Sequence, residues 1–119
     1  MNKRQLGTKK EELAAAYLTG RGIRIIRKNY RIRQGEIDLI GYDKEVLVFI
    51  EVKYRNKKDA GLPEEAVNAA KQRQICKVAL FFLNQQKLGT DIPCRYDVVA
   101  VDEEEIRWYK NAFEHCYTY

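Results

Sequence analysis

The sequence predicts an α/β chain: a mixed five-stranded sheet flanked by helices. Two segments carry apolar residues at helical spacing, near the start and after the middle of the chain. Five runs rich in β-branched residues are separated by turn residues. Three of these runs follow one another directly, then comes the second helix, then the last two runs. The first three therefore pair antiparallel, and the second helix crosses over to a further pair, which makes the sheet mixed. At 119 residues the chain has the length of one domain, expected to span residues 1–119.

Thr8-Lys9-Lys10-Glu11 matches a capping box, with Thr8 as N-cap and Glu11 reaching back to it. Leu13, Ala16 and Tyr17 recur at helical spacing, and Gly20 and Gly22 close the segment, so the first helix is expected over Lys9 to Thr19. Ile23 to Arg31 reads as a strand, Gln34-Gly35 as a turn, Glu36 to Ile40 as a second strand and Gly41 to Lys44 as another turn. Val46 to Lys53 is the strongest strand in the chain and is expected to be central. A polar loop, Asn56 to Leu62, precedes Pro63, which suits the first position of a helix, with Glu64 and Glu65 at its positive end. Val67, Ala70, Ile75, Val78, Ala79 and Phe82 give that helix its apolar face. Arg95 to Val101 alternates as a fourth strand, Asp102 to Glu105 turns, and Ile106 to Lys110 is a short fifth strand. Asn111 to Tyr119 carries no readable pattern.

Composition excludes several classes. The longest apolar runs, Val46–Ile50 and Val78–Leu83, fall far short of a bilayer span, so no membrane partner is expected. The basic N-terminus has no apolar stretch behind it, so the chain reads as cytoplasmic. Cys76, Cys94 and Cys116 show no paired spacing, which argues against a disulfide framework or a zinc site and for free thiols, at least partly buried. His115 is the only histidine and reads as a surface residue. Serine is absent, which rules out a Ser–His–Asp triad. No glycine-rich dinucleotide or P-loop motif occurs. The net charge is +5, which suits an acidic partner such as nucleic acid and equally suits a soluble surface.

The chemistry concentrates in the second and third strands. Side chains alternate along a strand, so Glu51 and Lys53 share a face about 6.6 Å apart, while Val48, Ile50 and Val52 take the other. Charges following five apolar residues must be paired, exposed at an edge, or bound to a metal, because isolated burial is costly. In the preceding strand Glu36 and Asp38 share a face with Ile40. A hairpin between the two strands brings Asp38 near Glu51 or Phe49. Converging carboxylates supply the hard oxygen ligands that Mg²⁺ takes together with water and a substrate phosphate. A neighbouring lysine can orient the attacking water or stabilise developing charge. The same residues also fit a salt bridge at a sheet end.

Gly35-Glu36-Ile37-Asp38-Leu39-Ile40, then ten residues, then Glu51-Val52-Lys53-Tyr54-Arg55 resembles the Asp…Glu-x-Lys signature of the PD-(D/E)xK nuclease superfamily. From Gly7 to about Val101 the chain more closely resembles the YraN-like family of small bacterial proteins, itself similar to archaeal Holliday-junction resolvases. Supporting pieces are Glu12, Ala16-Tyr17-Leu18, Asn29-Tyr30, Lys71-Gln72-Arg73 and Arg95-Tyr96-Asp97-Val98-Val99. The resemblance implies a restriction-endonuclease-like three-layer core. It implies Asp38 and Glu51 as ligands of Mg²⁺ or Mn²⁺, with the Val52 backbone carbonyl completing the shell. Lys53 is then the catalytic lysine, and Glu12 the helix-one acid that helps hold the metal or its waters. Lys71 corresponds to a polar helix residue facing the site, and Glu36 matches the family pattern without an assigned role. The proline of the superfamily's name does not stand next to Asp38.

The expected activity is metal-dependent hydrolysis of DNA phosphodiesters, on branched or repair-related DNA, with a homodimer by analogy to the resolvases. The alternative is a nucleic-acid-binding module of the same fold with little or no turnover, and the blandest reading is an interaction protein. Arg55, Lys57 and Lys58 directly follow the signature and are expected, with Lys71, to meet phosphates. The basic run Arg21, Arg24, Arg27, Lys28, Arg31 and Arg33 either tracks a phosphate backbone or guards a strand edge.

Overall fold

A computed structural model describes residues 2–55 and 67–116. The elements run α1 (Lys3–Thr19), β1 (Ile23–Ile32), β2 (Gly35–Asp43), β3 (Val46–Tyr54), α2 (Ala69–Gln85), β4 (Cys94–Val101) and β5 (Ile106–Phe113). The five strands form one sheet in the order β1-β2-β3-β4-β5. All neighbours are antiparallel except β3 and β4, which α2 joins as the crossover. The two helices cover opposite faces and make three layers. Against α2 pack Ile40, Leu47, Phe49, Tyr96 and Val98. Against α1 pack Leu39, Val48, Ile50, Val99 and Val101. Among the described residues, no helix is long and apolar enough to cross a membrane.

Helix α1 starts six residues before the expected Lys9. Its N-cap is Asn2, whose side chain accepts from the Gln5 N–H at 2.8 Å while Gln5 accepts from the Asn2 N–H at 3.1 Å. This capping box has the same chemistry as the Thr8–Glu11 pattern and comes first in the chain. A single Gly7 between the two costs about 1 kcal/mol relative to alanine, too little to stop the helix. Thr8 is therefore interior and Glu11 is released from any capping role. The buried face also differs from the expected one. Ala14, Ala15 and Leu18 are buried, whereas Leu13 is 42% exposed. Two small residues side by side let the helix approach the sheet more closely than a leucine would.

Strand β1 forms one edge and is irregular. Its pairing with β2 shifts between Ile25 and Arg27, and Asn29 lies in the left-handed region at φ 52. Gly41, expected in a turn, is buried within β2 instead. A Cβ there would stand 2.8 Å from the Arg24 carbonyl oxygen and 3.0 Å from the Ile23 side chain, so the close approach of β1 requires glycine. The hairpin turn falls at Lys44 and Glu45, with Lys44 at φ 55.

Helix α2 is capped by Asn68, whose side chain accepts from the Lys71 N–H at 2.8 Å. The expected start at Pro63, with Glu64 and Glu65, lies outside the described residues. Val67 is buried but precedes the helix, and Ala70 is exposed. Ile75, Val78, Ala79 and Phe82 form the buried face as expected, joined by Cys76 and Leu83. Phe82 meets Tyr30 and Phe49 edge-on, with ring centroids 5.1 and 6.1 Å apart.

Strand β5 continues to Phe113, past the expected Lys110. A fully buried carboxylate explains the extension. Asp97 accepts from Arg95 Nε at 3.0 Å, from Trp108 Nε1 at 2.9 Å and from the Asn111 N–H at 2.9 Å. Arg95 also reaches Asp43 at 2.8 Å, so one paired network ties β2, β4 and β5 together. His115, expected on the surface, is half-buried, and its Nδ1 lies 2.6 Å from the Tyr96 hydroxyl. Of the thiols, Cys76 is buried, Cys116 half-buried and Cys94 exposed.

Candidate metal centre

The site follows from where two strands part. The β2–β3 ladder runs from Asp43↔Val46 to Leu39↔Ile50 and stops. Beyond that point β2 stays with β1, through Tyr30↔Ile37 and Arg31↔Glu36, while β3 stays with β4, through Lys53↔Ala100 and Tyr54↔Val101. The sheet forks. Asp38 and Glu51 are the first residues past the last rung, one on each prong. The Asp38 carboxylate accepts from the Val52 N–H at 2.8 Å, which holds it in the fork. Both acids are buried, Asp38 at 7% and Glu51 at 8% exposed. Lys53 follows on the Glu51 face and its ammonium stabilises the Glu51 carboxylate.

Both helices contribute to the fork. Glu11 of α1 hydrogen-bonds to Asp38 and to Asn29. Lys71, in the first turn of α2, places its ammonium where it favours the ionised forms of both Asp38 and Glu51, and it donates to Gln74 Oε1 at 3.2 Å. The left-handed Asn29 belongs to the same cluster; asparagine tolerates that conformation better than most residues, and such backbone outliers gather at functional sites.

Crowding three carboxyls has an electrostatic consequence. Burial, and then the Asp38 charge, pushes Glu51 from 4.5 up to about 8. The same two causes, in the same order, push Glu11 from 4.5 up to about 7. Asp38 is raised by burial, opposed by the Val52 N–H and by the hydrogen bond from Glu11. Asp38 thus acts as the shared acceptor, flanked by two acids that hold protons near neutrality. A divalent cation satisfies the same oxygens with positive charge in place of protons. The donors are hard oxygens, as Mg²⁺ or Mn²⁺ requires. Among the described residues, no three His, Cys, Asp or Glu side chains are arranged to hold a metal by themselves. A cation here would have Asp38 and Glu51 as its side-chain ligands, leaving backbone and water to complete its shell, which is the usual habit of Mg²⁺.

Asp38, Glu51, Lys53 and Lys71 therefore come together. Glu36 stands at the rim, paired with Arg31 at 2.9 Å, and its charge acts on Asp38 and Glu11. Glu12 does not reach the cluster. It is exposed and lines a groove with Thr19, Arg24 and Lys28. Glu11 occupies the place expected for Glu12. Sequence held a signal for this: Glu11, Ala14, Ala15 and Leu18 are an i, i+3, i+4, i+7 stripe, but the capping pattern hid its first member. The Val52 N–H is committed to Asp38, and Arg55 donates its backbone N–H to the Val101 carbonyl at 2.9 Å. Lys57 and Lys58 lie outside the described residues.

A groove of about 330 Å³ opens at Glu36 and Lys71, lined also by Arg31, Ile32, Gly35 and Gln74. Gly35 keeps it tight: its φ is +152 and a Cβ would collide with Gln74 at 2.6 Å. The basic run lies along edge strand β1, where Arg24 and Arg27 stack over Tyr42 and Tyr30 at 5.1 and 5.0 Å.

The description "Uncharacterised protein family UPF0102" matches residues 10–101, a span that holds the whole fork, all of α2 and α1 from Lys10 onward to Thr19. The chain belongs to this family. UPF0102 proteins similar to it include one from Lachnoclostridium phytofermentans, 47% identical over 96% of this chain and 97% of its own. One from Symbiobacterium thermophilum is 50% identical over 83% of each chain. One from Coxiella burnetii is 43% identical over 92% of each. The YraN-like family expected from the sequence is the UPF0102 family.

Proposed function

We propose that the protein is a metal-dependent nuclease that hydrolyses DNA phosphodiesters at the fork of β2 and β3. The observation that carries this reading is the convergence of Asp38, Glu51 and Lys53, from a buried fork, beside a groove that Lys71 flanks. Asp38, Glu51 and the Val52 carbonyl would hold Mg²⁺ or Mn²⁺. The bound cation would polarise the scissile phosphoryl group and lower the pKa of a water. Lys53 supplies a positive charge beside the nucleophile and stabilises the charge that grows on the phosphoryl oxygens. Glu11 of α1, itself bonded to Asn29 of β1, fixes Asp38, as an outer partner orients a metal ligand. Lys71 attracts and positions the substrate phosphate. The three-layer arrangement, with a forked mixed sheet and a helical crossover, supports a restriction-endonuclease-like assignment; it is an argument from architecture.

A second reading keeps the fold as a nucleic-acid-binding module with little turnover. It is favoured by one observation: among the described residues, no three acidic side chains are arranged around a common cation. The experiment that separates the two measures cleavage of single-stranded, duplex and branched DNA with Mg²⁺ or Mn²⁺, for the native protein, Asp38→Ala and Lys53→Ala. Metal-dependent cleavage lost in both variants supports the nuclease. Cleavage surviving both overturns the site, and salt-sensitive binding without cleavage supports the binding module.

A further inference from the structure

We propose that Cys76 and Cys116 are a redox pair, which a hydroperoxide oxidises to a disulfide that locks the C-terminal segment onto α2. The two residues are 40 positions apart, so no local constraint brings them together. Cys76 lies on the buried face of α2. Cys116 follows β5 and is half-buried. The Cys116 N–H donates to the Cys76 sulfur at 3.2 Å, so the two residues are in direct contact, and each thiol lies close enough to influence the other. The segment that carries Cys116 is anchored by rings. Tyr96 stacks on Phe113 at 4.9 Å and on His115 at 5.9 Å, and its hydroxyl lies 2.6 Å from His115 Nδ1. The Tyr96 hydroxyl also contacts the Cys76 thiol. The two cysteines thus meet in a built corner of the fold.

The step balances as a two-electron oxidation. The more accessible Cys116 sulfur attacks one peroxide oxygen; the O–O bond breaks, giving a sulfenic acid and water from hydrogen peroxide. The Cys76 sulfur then attacks the Cys116 sulfur. The S–S bond forms, the S–O bond breaks, and the leaving hydroxide takes the Cys76 proton as a second water. Burial pushes the Cys76 thiol up, which suits the resolving role over the initiating one. Cys94 is exposed, and its sulfur donates to the Ile92 carbonyl at 3.5 Å, away from the pair.

The test uses the full chain carrying Cys94→Ser, with and without Cys116→Ser, each reduced and then treated with hydrogen peroxide. The expected product is a monomer lighter by two hydrogens, with a Cys76–Cys116 linkage in its peptide map. Its Tm should rise by roughly 10 °C, reversed by dithiothreitol. The Cys116→Ser protein should form no such product. The proposal is overturned if oxidation only adds oxygen, if both thiols remain alkylatable, or if the same mass loss occurs without Cys116. The linkage map on the native sequence decides the question even if a variant folds poorly.

Discussion

Replacing Glu51 by glutamine tests the electrostatics of the fork without changing its shape. In the folded protein Glu51 holds its proton up to about 8, against 4.5 for an unperturbed glutamate. A group whose pKa is raised by folding contributes its stabilisation below the unfolded value and loses it as pH rises through the folded one. In EDTA the native protein should therefore weaken between pH 5 and pH 8. With 1.36 kcal/mol per pKa unit, this one carboxyl accounts for a loss of about 2 kcal/mol between pH 5 and pH 7. Urea denaturation at several pH values, in EDTA, gives the slope. The native protein should lose stability over this window, Glu51→Gln should lose much less, and saturating Mn²⁺ should flatten the native curve. Equal slopes for the native and Glu51→Gln proteins would mean that the fold does not raise the Glu51 carboxyl.

Three further outcomes follow from the structure. Glu11→Gln should weaken Mn²⁺ binding by roughly tenfold, as loss of an outer ligand partner does, while Glu12→Gln leaves it unchanged; calorimetric titration of both variants checks this. Gly41→Ala should destabilise the fold by about 1–3 kcal/mol, because the new Cβ presses on the Arg24 backbone and the buried Ile23 side chain, and urea midpoints read it. Asp97→Ala should cost about 3–5 kcal/mol, since Arg95 and the Trp108 and Asn111 donors are left facing a void; thermal unfolding should show a drop large enough to separate it from any surface substitution.

The fork was legible because a hairpin joins the two strands, and one step past its last rung, Leu39↔Ile50, sets Asp38 opposite Glu51. Alternation along β2 does not hold throughout: Ile37 packs on the α2 side and Leu39 on the α1 side. The site's third element was harder. Thr8 and Glu11 satisfy a capping pattern so well that the pattern absorbed Glu11, and Asn2 with Gln5, an equal box in different residues, went unread. Gly41 shows the reverse error: a glycine after a strand suggests a turn, and only the neighbouring Arg24 backbone reveals a close approach. Strand β5 ran past its expected end because its last partner, the Asp97 carboxylate, lies 14 residues from Asn111, beyond any local pattern. Cys76 and Cys116 met for a similar reason, through tertiary packing that sequence spacing does not encode.

Everything proposed for the fork rests on Asp38 and Glu51 binding a divalent cation. Mn²⁺ binding followed by electron paramagnetic resonance tests it most directly, on the native protein, Asp38→Asn and Glu12→Gln. The expected result is saturable binding by the native and Glu12→Gln proteins and its loss in Asp38→Asn. Binding that persists in Asp38→Asn, or that the native protein never shows, would contradict it.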